Sequence, residues 1–169
     1  MIISAFNAAV AGAAPFDGAI GPAAAAAPTL REAFAGWLAG LPGLADAGVY
    51  WEQPSQLSRY PCLVLRVPSR SYGHNLAGSD GTSRATVEVT TLSTRQADCV
   101  AMAEAIRDHQ DGFRGPQSGL AILRLLLEDE ADSATAPPDG SDNWIYQMTL
   151  EYRCDHRVAL PASIAQADC

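Results

Sequence analysis

An alternating strand followed directly by an amphipathic helix is the feature that most limits what this chain can fold into. In residues 84–92, apolar side chains point to one side and polar side chains to the other. This period of two is typical of a sheet with one buried face and one solvated face. Residues 93–113 repeat apolar side chains at helical spacing, so we expect a helix across the buried face. Ser93 and Gln96 have the pattern of a capping box, which predicts that this helix begins there.

A second capping box predicts a second helix. Thr29 and Glu32 follow Pro28 directly, and an apolar stripe continues to about Gly40. The order of elements predicts an α+β fold: a mainly antiparallel sheet of about four to five strands, two helices packed on one face, and long loop or hairpin extensions. Besides 84–92, alternating or wholly apolar runs predict strands at 49–53, 62–67, 120–128 and 144–156.

Composition divides the chain into three regions. Residues 1–28 form an arm rich in Ala, Pro and Gly, in which Asp17 is the one charged residue. Both an arm that orders against a partner and a flexible spacer agree with this composition, whereas the absence of basic residues disfavours a signal peptide. We expect the α+β domain to span residues 29–157 and a C-terminal tail to span residues 158–169.

The charge of the chain limits its partners. Its formal net charge is −8, and all 11 basic residues are arginine. This negative net charge argues against a protein that binds nucleic acid by neutralising its phosphates. No apolar run reaches the length of a membrane span, so we expect no membrane partner. The 4 cysteines include no CxxC pair, which is typical of buried thiols in a reduced, intracellular protein.

The chain shows no pattern of residues suited to catalysis. The 3 histidines are too scattered for a triad, and no phosphate-binding loop or nucleophile elbow is present. Cys154 and His156 stand two apart on one strand, but two ligands do not make a zinc site. We therefore predict no enzyme, no cofactor and no metal. The alternative of a small-ligand-binding or enzymatic α+β domain has one candidate site, consisting of Glu128, Asp129, Glu130 and His156.

Three segments, taken in order, resemble the tailed-phage tail completion, or tail terminator, proteins. The first has a strand with aromatic residues, followed by an apolar strand that begins directly after a proline; its sequence is VYWEQPSQLSRYPCLVLRV. The second is the alternating strand with its helix, which ends in DGFRG, and the third runs from LEDE to the last strand. The resemblance covers residues 30–157, and the arm of residues 1–28 departs from it.

The resemblance implies a structural protein of the virion, located in the phage tail or neck and made in the host cytoplasm. Members of this family form a hexameric ring on the last ring of tail tube protein, stop tube growth and give the head connector or stopper protein a docking surface. DNA then passes through the lumen without specific binding, which suits an acidic chain. Another neck component, such as a head-completion or stopper protein, is the alternative within the same class.

Two long polar segments are the candidate contact regions. Residues 68–83 and 130–142 are expected to be loops, and long loops in a compact domain usually carry function. We expect these loops and the edge of the sheet to supply the ring and tube contacts. The candidate interface residues are Arg70, Tyr72, His74, Asn75, Asp80, Glu130, Asp132, Asp139 and Asp142.

Overall fold

A computed structural model describes residues 28–44, 47–53, 59–76, 78–136 and 144–158. Almost all of the predicted arm and tail, together with Asp139 and Asp142, lies outside these residues. The described part has an α+β fold, and neither of its helices is long and apolar enough to cross a membrane. The elements in chain order are α1 (Leu30–Ala39), β1 (Gly48–Trp51), β2 (Cys62–Asn75), β3 (Gly78–Ser93), α2 (Gln96–Gln110), β4 (Gly115–Gln117), β5 (Leu120–Thr135) and β6 (Ile145–Arg157).

The strands form one sheet in the order β1-β2-β3-β6-β5-β4. Six strands are present in the described residues, so the expected number of four to five is wrong. β1 pairs parallel to β2, whereas the other neighbours are antiparallel. The strand that the sequence does not predict is β4, which has 3 residues and no apolar alternation. It forms because Ser118 and Gly119 make a tight turn with φ values of 48° and 80°.

The segment 68–83 is a β-hairpin and not a loop. β2 and β3 continue through it, and pairing extends to Asn75 opposite Gly78. A register shift between Arg66 and Ser69 accommodates Pro68, which has no N–H to donate to a ladder. The prediction failed because much of this hairpin is exposed, so its strands lack the apolar alternation by which a half-buried strand is recognised.

The segment 130–142 also begins as a strand. β5 runs to Thr135, so Glu130 and Asp132 are strand residues paired with β6, opposite Leu150 and Met148. Residues 128–136 are all exposed, which explains why their polar sequence looks like a loop. The connection that remains, residues 137–143, lies outside the described part.

The two hairpins point to opposite ends of the sheet. The register of β3 with β6 places Thr82 opposite Arg157 and Ser93 opposite Tyr146. The β2–β3 turn therefore lies at the end where β6 finishes, and the β5–β6 connection lies at the end where β6 starts. Neither the direction of these hairpins nor their separation can be read from local sequence, because both follow from strand pairing.

One apolar core joins both helices to one face of the sheet. The predicted capping box of α1 is confirmed, since the Thr29 hydroxyl accepts from the Glu32 N–H and the Glu32 side chain accepts from the Thr29 N–H. The ring of Trp37 lies 4.7 Å from that of Phe113, which follows α2. Buried residues of both helices and the sheet form this core, among them Phe34, Leu38, Met102, Ile106, Val87, Val89, Leu150 and Tyr152.

The predicted capping box of α2 is wrong. Ser93 is the last residue of β3, where it pairs with Tyr146, and it does not cap the helix. The N-cap is Arg95, whose side chain makes no capping hydrogen bond. The Ser93 hydroxyl instead accepts from the Arg95 N–H at 3.1 Å. Strand pairing extends the strand past the point at which the local pattern would start the helix.

Candidate interaction surfaces

The tip of the β2–β3 hairpin carries three of the predicted interface residues: His74, Asn75 and Asp80. The Asp80 carboxylate accepts from the Thr82 N–H at 2.8 Å and from the Thr82 hydroxyl at 2.7 Å. These two bonds lower the pKa of Asp80, so the carboxylate stays ionised at neutral pH. The imidazole Nδ1 of His74 lies 2.9 Å from the Tyr72 carbonyl oxygen. The tip is therefore an ordered turn with exposed polar side chains.

Arg70 holds this hairpin against β6. Its Nε donates to the Ser83 hydroxyl at 3.1 Å, and its Nη2 lies 2.9 Å from Nε2 of His156. Its guanidinium also lies over the ring of Tyr72, 5.1 Å from the centroid. A guanidinium can only donate, so Nε2 of His156 accepts and the imidazole is neutral. The contacts of Arg70 and Tyr72 with the hairpin add a structural role to the predicted interface role.

The environment of His156 keeps it neutral. Its side chain is fully buried beside Cys154, and Nδ1 lies 3.9 Å from the Cys154 sulfur. Burial, and then the positive charge of Arg70, lower the pKa of His156 below its ordinary value. Burial raises the pKa of the Cys154 thiol to about 12. These two side chains are therefore an uncharged pair, and no group of three potential metal ligands occurs among the described residues.

The acidic residues of β5 lie between the middle of the sheet and the end where β6 starts. Glu130 accepts from the Arg107 guanidinium at 3.0 Å, and Glu128 is paired with Arg153 at 2.6 Å. Asp129 and Asp132 are exposed and have no hydrogen bond or ion pair within the described part of the chain. The structure thus divides the predicted interface residues that it describes into two groups, one at the β2–β3 hairpin and one on β5 between the middle of the sheet and the end where β6 starts.

The residues of the candidate enzymatic site are not brought together. Glu130 pairs with Leu150, which lies six residues before His156 on β6. Six residues of strand span roughly 20 Å, so Glu130 and His156 lie far apart. Glu128 and Glu130 are held by arginines, and His156 is held by Arg70. The arrangement suits a packed structural role for each of these side chains.

The face of the sheet away from the helices is polar, as the alternation predicts. Cross-strand pairs cover it, including the ion pair of Arg66 with Glu88 at 3.3 Å and the bond between the hydroxyls of Thr90 and Thr149 at 2.9 Å. Such pairs stabilise neighbouring strands by a few tenths of a kcal/mol to about 1 kcal/mol each.

A cleft of about 570 Å³ opens beside the β2–β3 hairpin, and sequence reasoning missed it. Its charged lining consists of Arg84, Arg114, Arg124 and Asp155, and we call it the arginine cleft. Asp155 accepts from Arg84 at 2.7 Å and from Arg124 at 3.2 Å. Burial opposes ionisation of Asp155, but the hydrogen bonds from both arginines outweigh it, so its pKa is below the ordinary value. No local signal marks this cluster, because only strand register unites it.

No protein-family model matches the chain, and no curated protein matches it. Among solved structures, it is similar to a chain of "Virion of native gene transfer agent (GTA) particle". The two are 14% identical, the match covers 71% of this chain and 84% of that chain, and the TM-score is 0.45. Similarity at this level does not assign the chain to a family.

Proposed function

We propose that this chain is a structural protein of a phage-like neck, which forms a hexameric ring on the end of the tail tube. In this role the ring ends tube growth and offers the head connector a docking surface. The proposal starts from the sequence resemblance over residues 30–157. The observation that carries it is the placement of the β2–β3 and β5–β6 hairpins at opposite ends of one sheet.

The two hairpins give the domain a contact region at each end. Residues 78–81 of β3 lie beyond Thr82, the last residue in register with β6, so the β2–β3 tip projects past the sheet. At the other end, β5 and β6 remain paired to Thr135 and Ile145. An adapter between a tube and a connector needs two such separated surfaces. In this proposal, one hairpin end contacts the tube and the other contacts the connector.

Charge also supports a role in which DNA passes but is not bound. The formal net charge of −8 gives repulsion from phosphates. A ring is built from heterologous contacts, in which one patch of a subunit meets a different patch of its neighbour.

The first experiment measures the assembly. Native mass spectrometry of the purified chain should give a mass about six times the 17.8 kDa of one chain, and negative-stain images should show rings with a central hole. Association with tail tube protein should place the ring at one end of the tube. A chain that remains monomeric at the concentrations at which tubes assemble would contradict the proposal.

A second experiment separates the two ends. A variant in which Asn-Gly replaces residues 73–82 joins Tyr72 to Ser83 by a short hairpin turn and removes the tip. A matched variant shortens residues 137–143 at the other end. We expect each variant to lose binding to a different partner, tail tube protein or head connector, while circular dichroism shows a folded domain. If both variants joined heads to tails normally, the hairpin ends would not be the contacts.

A further inference from the structure

The arginine cleft carries more positive charge than its own chain neutralises. Three guanidinium groups line it, whereas Asp155 is its single carboxylate. Asp155 orients Arg84 and Arg124, whose side chains nevertheless stay 60% and 39% exposed. Arg114 is exposed and has no hydrogen bond or ion pair among the described residues. The cleft therefore has two uncompensated positive charges in a chain of net charge −8.

The outer edge of β5 has the complementary charge. β4 covers β5 only at residues 120–122, and residues 111–113 bond to it at Leu125 and Leu127. From residue 128 to 135, no described segment pairs with this edge, and every residue is exposed. Two carboxylates on this stretch, Asp129 and Asp132, have no partner in the described part of the chain. An open strand edge with free carboxylates can both pair with backbone and attract cations.

The cleft and the edge of one chain cannot meet each other. Asp129 and Asp132 lie on the same strand as Arg124, five and eight residues from it, which corresponds to roughly 16 Å and 26 Å. Contact between these two surfaces must therefore join different copies. Because the surfaces differ, each copy that binds through its cleft leaves its own acidic edge free for the next copy. Such a contact can repeat until the ring closes.

We infer that the arginine cleft of one subunit binds the acidic edge of β5, at Asp129 and Asp132, of the next subunit. This inference rests on the proposed ring and names the charged contact that holds neighbouring subunits together. Arg114 has no partner among the described residues, and Asp155 orients Arg84 and Arg124 within the same cleft. Electrostatic complementarity of this kind selects the partner and fixes the register of the contact.

Charge reversal tests this contact. One variant carries Arg114→Glu, a second carries Asp129→Arg with Asp132→Arg, and a third combines all three substitutions. Arg59→Glu is the matched control, since Arg59 is exposed and belongs to neither surface. Sedimentation and native mass spectrometry give the assembled fraction, and circular dichroism verifies folding. We expect each one-sided reversal to weaken association by about tenfold or more, and the combined variant to recover most of the loss.

The outcomes distinguish this contact from the ring itself. Association of the wild-type chain should weaken as salt is raised, because partly exposed charges are screened. A wild-type chain that never self-associates would overturn the ring and this contact together. Rings that survive both reversals, or losses that the combined variant does not recover, would overturn the contact alone. If Arg114→Glu abolished binding of a single-stranded oligonucleotide and left the ring mass unchanged, the cleft would be a nucleic-acid site and our assignment would be wrong.

Discussion

Arg70 and His156 are 86 residues apart in sequence, yet Nη2 of the first lies 2.9 Å from Nε2 of the second. The contact joins β2 to β6 across β3, whose Ser83 accepts a second bond from Arg70. It requires a neutral imidazole, because a protonated one would place two cations within hydrogen-bond distance. The anchor of the projecting hairpin is therefore sensitive to the protonation of one buried side chain.

The pH dependence of stability should show this sensitivity. The pKa of His156 is below its ordinary value of 6.5 in the folded chain, so the unfolded chain binds a proton first as pH falls. The stabilisation is fully present above pH 6.5 and is lost as pH falls through the lowered pKa. We expect the free energy of unfolding to decrease in that window, and His156→Gln to make it less dependent on pH. Denaturant titrations from about pH 5 to pH 8 measure the free energy of unfolding of the wild-type chain and of His156→Gln. An equal pH dependence in the two chains would contradict the role given to the neutral His156.

Tyr152 should tolerate the loss of its hydroxyl. The side chain is fully buried, and its oxygen has no hydrogen-bond partner among the described residues. A buried hydroxyl without a partner is destabilising, so Tyr152→Phe should leave the free energy of unfolding unchanged or raise it by up to about 1 kcal/mol. Tyr72→Phe, at a side chain that is 52% exposed, is the control and should change little. A loss above about 1 kcal/mol for Tyr152→Phe would mean that the hydroxyl has a partner.

Gly73 should not tolerate a methyl group. A Cβ at this position would overlap the Asp80 carboxylate and the Thr82 hydroxyl oxygen. Gly73→Ala must displace the bonds that order the hairpin turn, so we expect it to destabilise the chain by about 1–3 kcal/mol. Gly36→Ala is the matched control, because a Cβ there meets Ser118 at an ordinary 3.6 Å inside α1. Gly36→Ala should stabilise the chain by about 0.5–1 kcal/mol. Thermal unfolding measures both variants, and an equal effect of the two substitutions would exclude the steric explanation for Gly73.

A better N-cap should stabilise α2. Arg95 occupies the N-cap with an extended backbone, φ −124° and ψ 123°, but provides no side-chain acceptor. Arg95→Asp adds an acceptor for the free N–H groups of the first turn and places negative charge at the positive end of the helix. We expect a gain of about 0.5–1 kcal/mol in the free energy of unfolding, whereas Thr29→Ala at the capped α1 should lose about 1 kcal/mol. The substitution also removes the ion pair of Arg95 with Asp98 at 3.8 Å, so no gain would show that the new cap does not outweigh that loss.

Local patterns predicted the core correctly. The alternation at Val87 and Val89 identified the buried face of β3, and helical spacing identified Met102 and Ile106 as the residues that pack on it. These predictions depend on the spacing of apolar residues within each strand or helix, which can be read from a few neighbouring residues. The Thr29 cap was predictable for the same reason, because its bonds reach only as far as Glu32.

Patterns failed where a partner strand, and not the chain's own periodicity, stabilises the backbone. Ser69 is polar and exposed to water, yet it is a strand residue because β2 and β3 pair, and its hydroxyl bonds to that of Thr86 at 2.9 Å. Ser93 has the sequence of a cap but belongs to β3 because Tyr146 pairs with it. Exposed strands keep their backbone order without any apolar signal in the sequence.

The sequence by itself determined the α+β class, the buried faces and the cap of α1, since each depends on residues that are close along the chain. Only the tertiary structure decided which charged side chains come together at the surface. Asp155 meets Arg84 and Arg124 only because the register of β6 with β3 and β5 places them side by side. Arg70 reaches His156 for the same reason. Register depends on pairing between distant segments, so the charges that face a partner become visible only in the folded sheet.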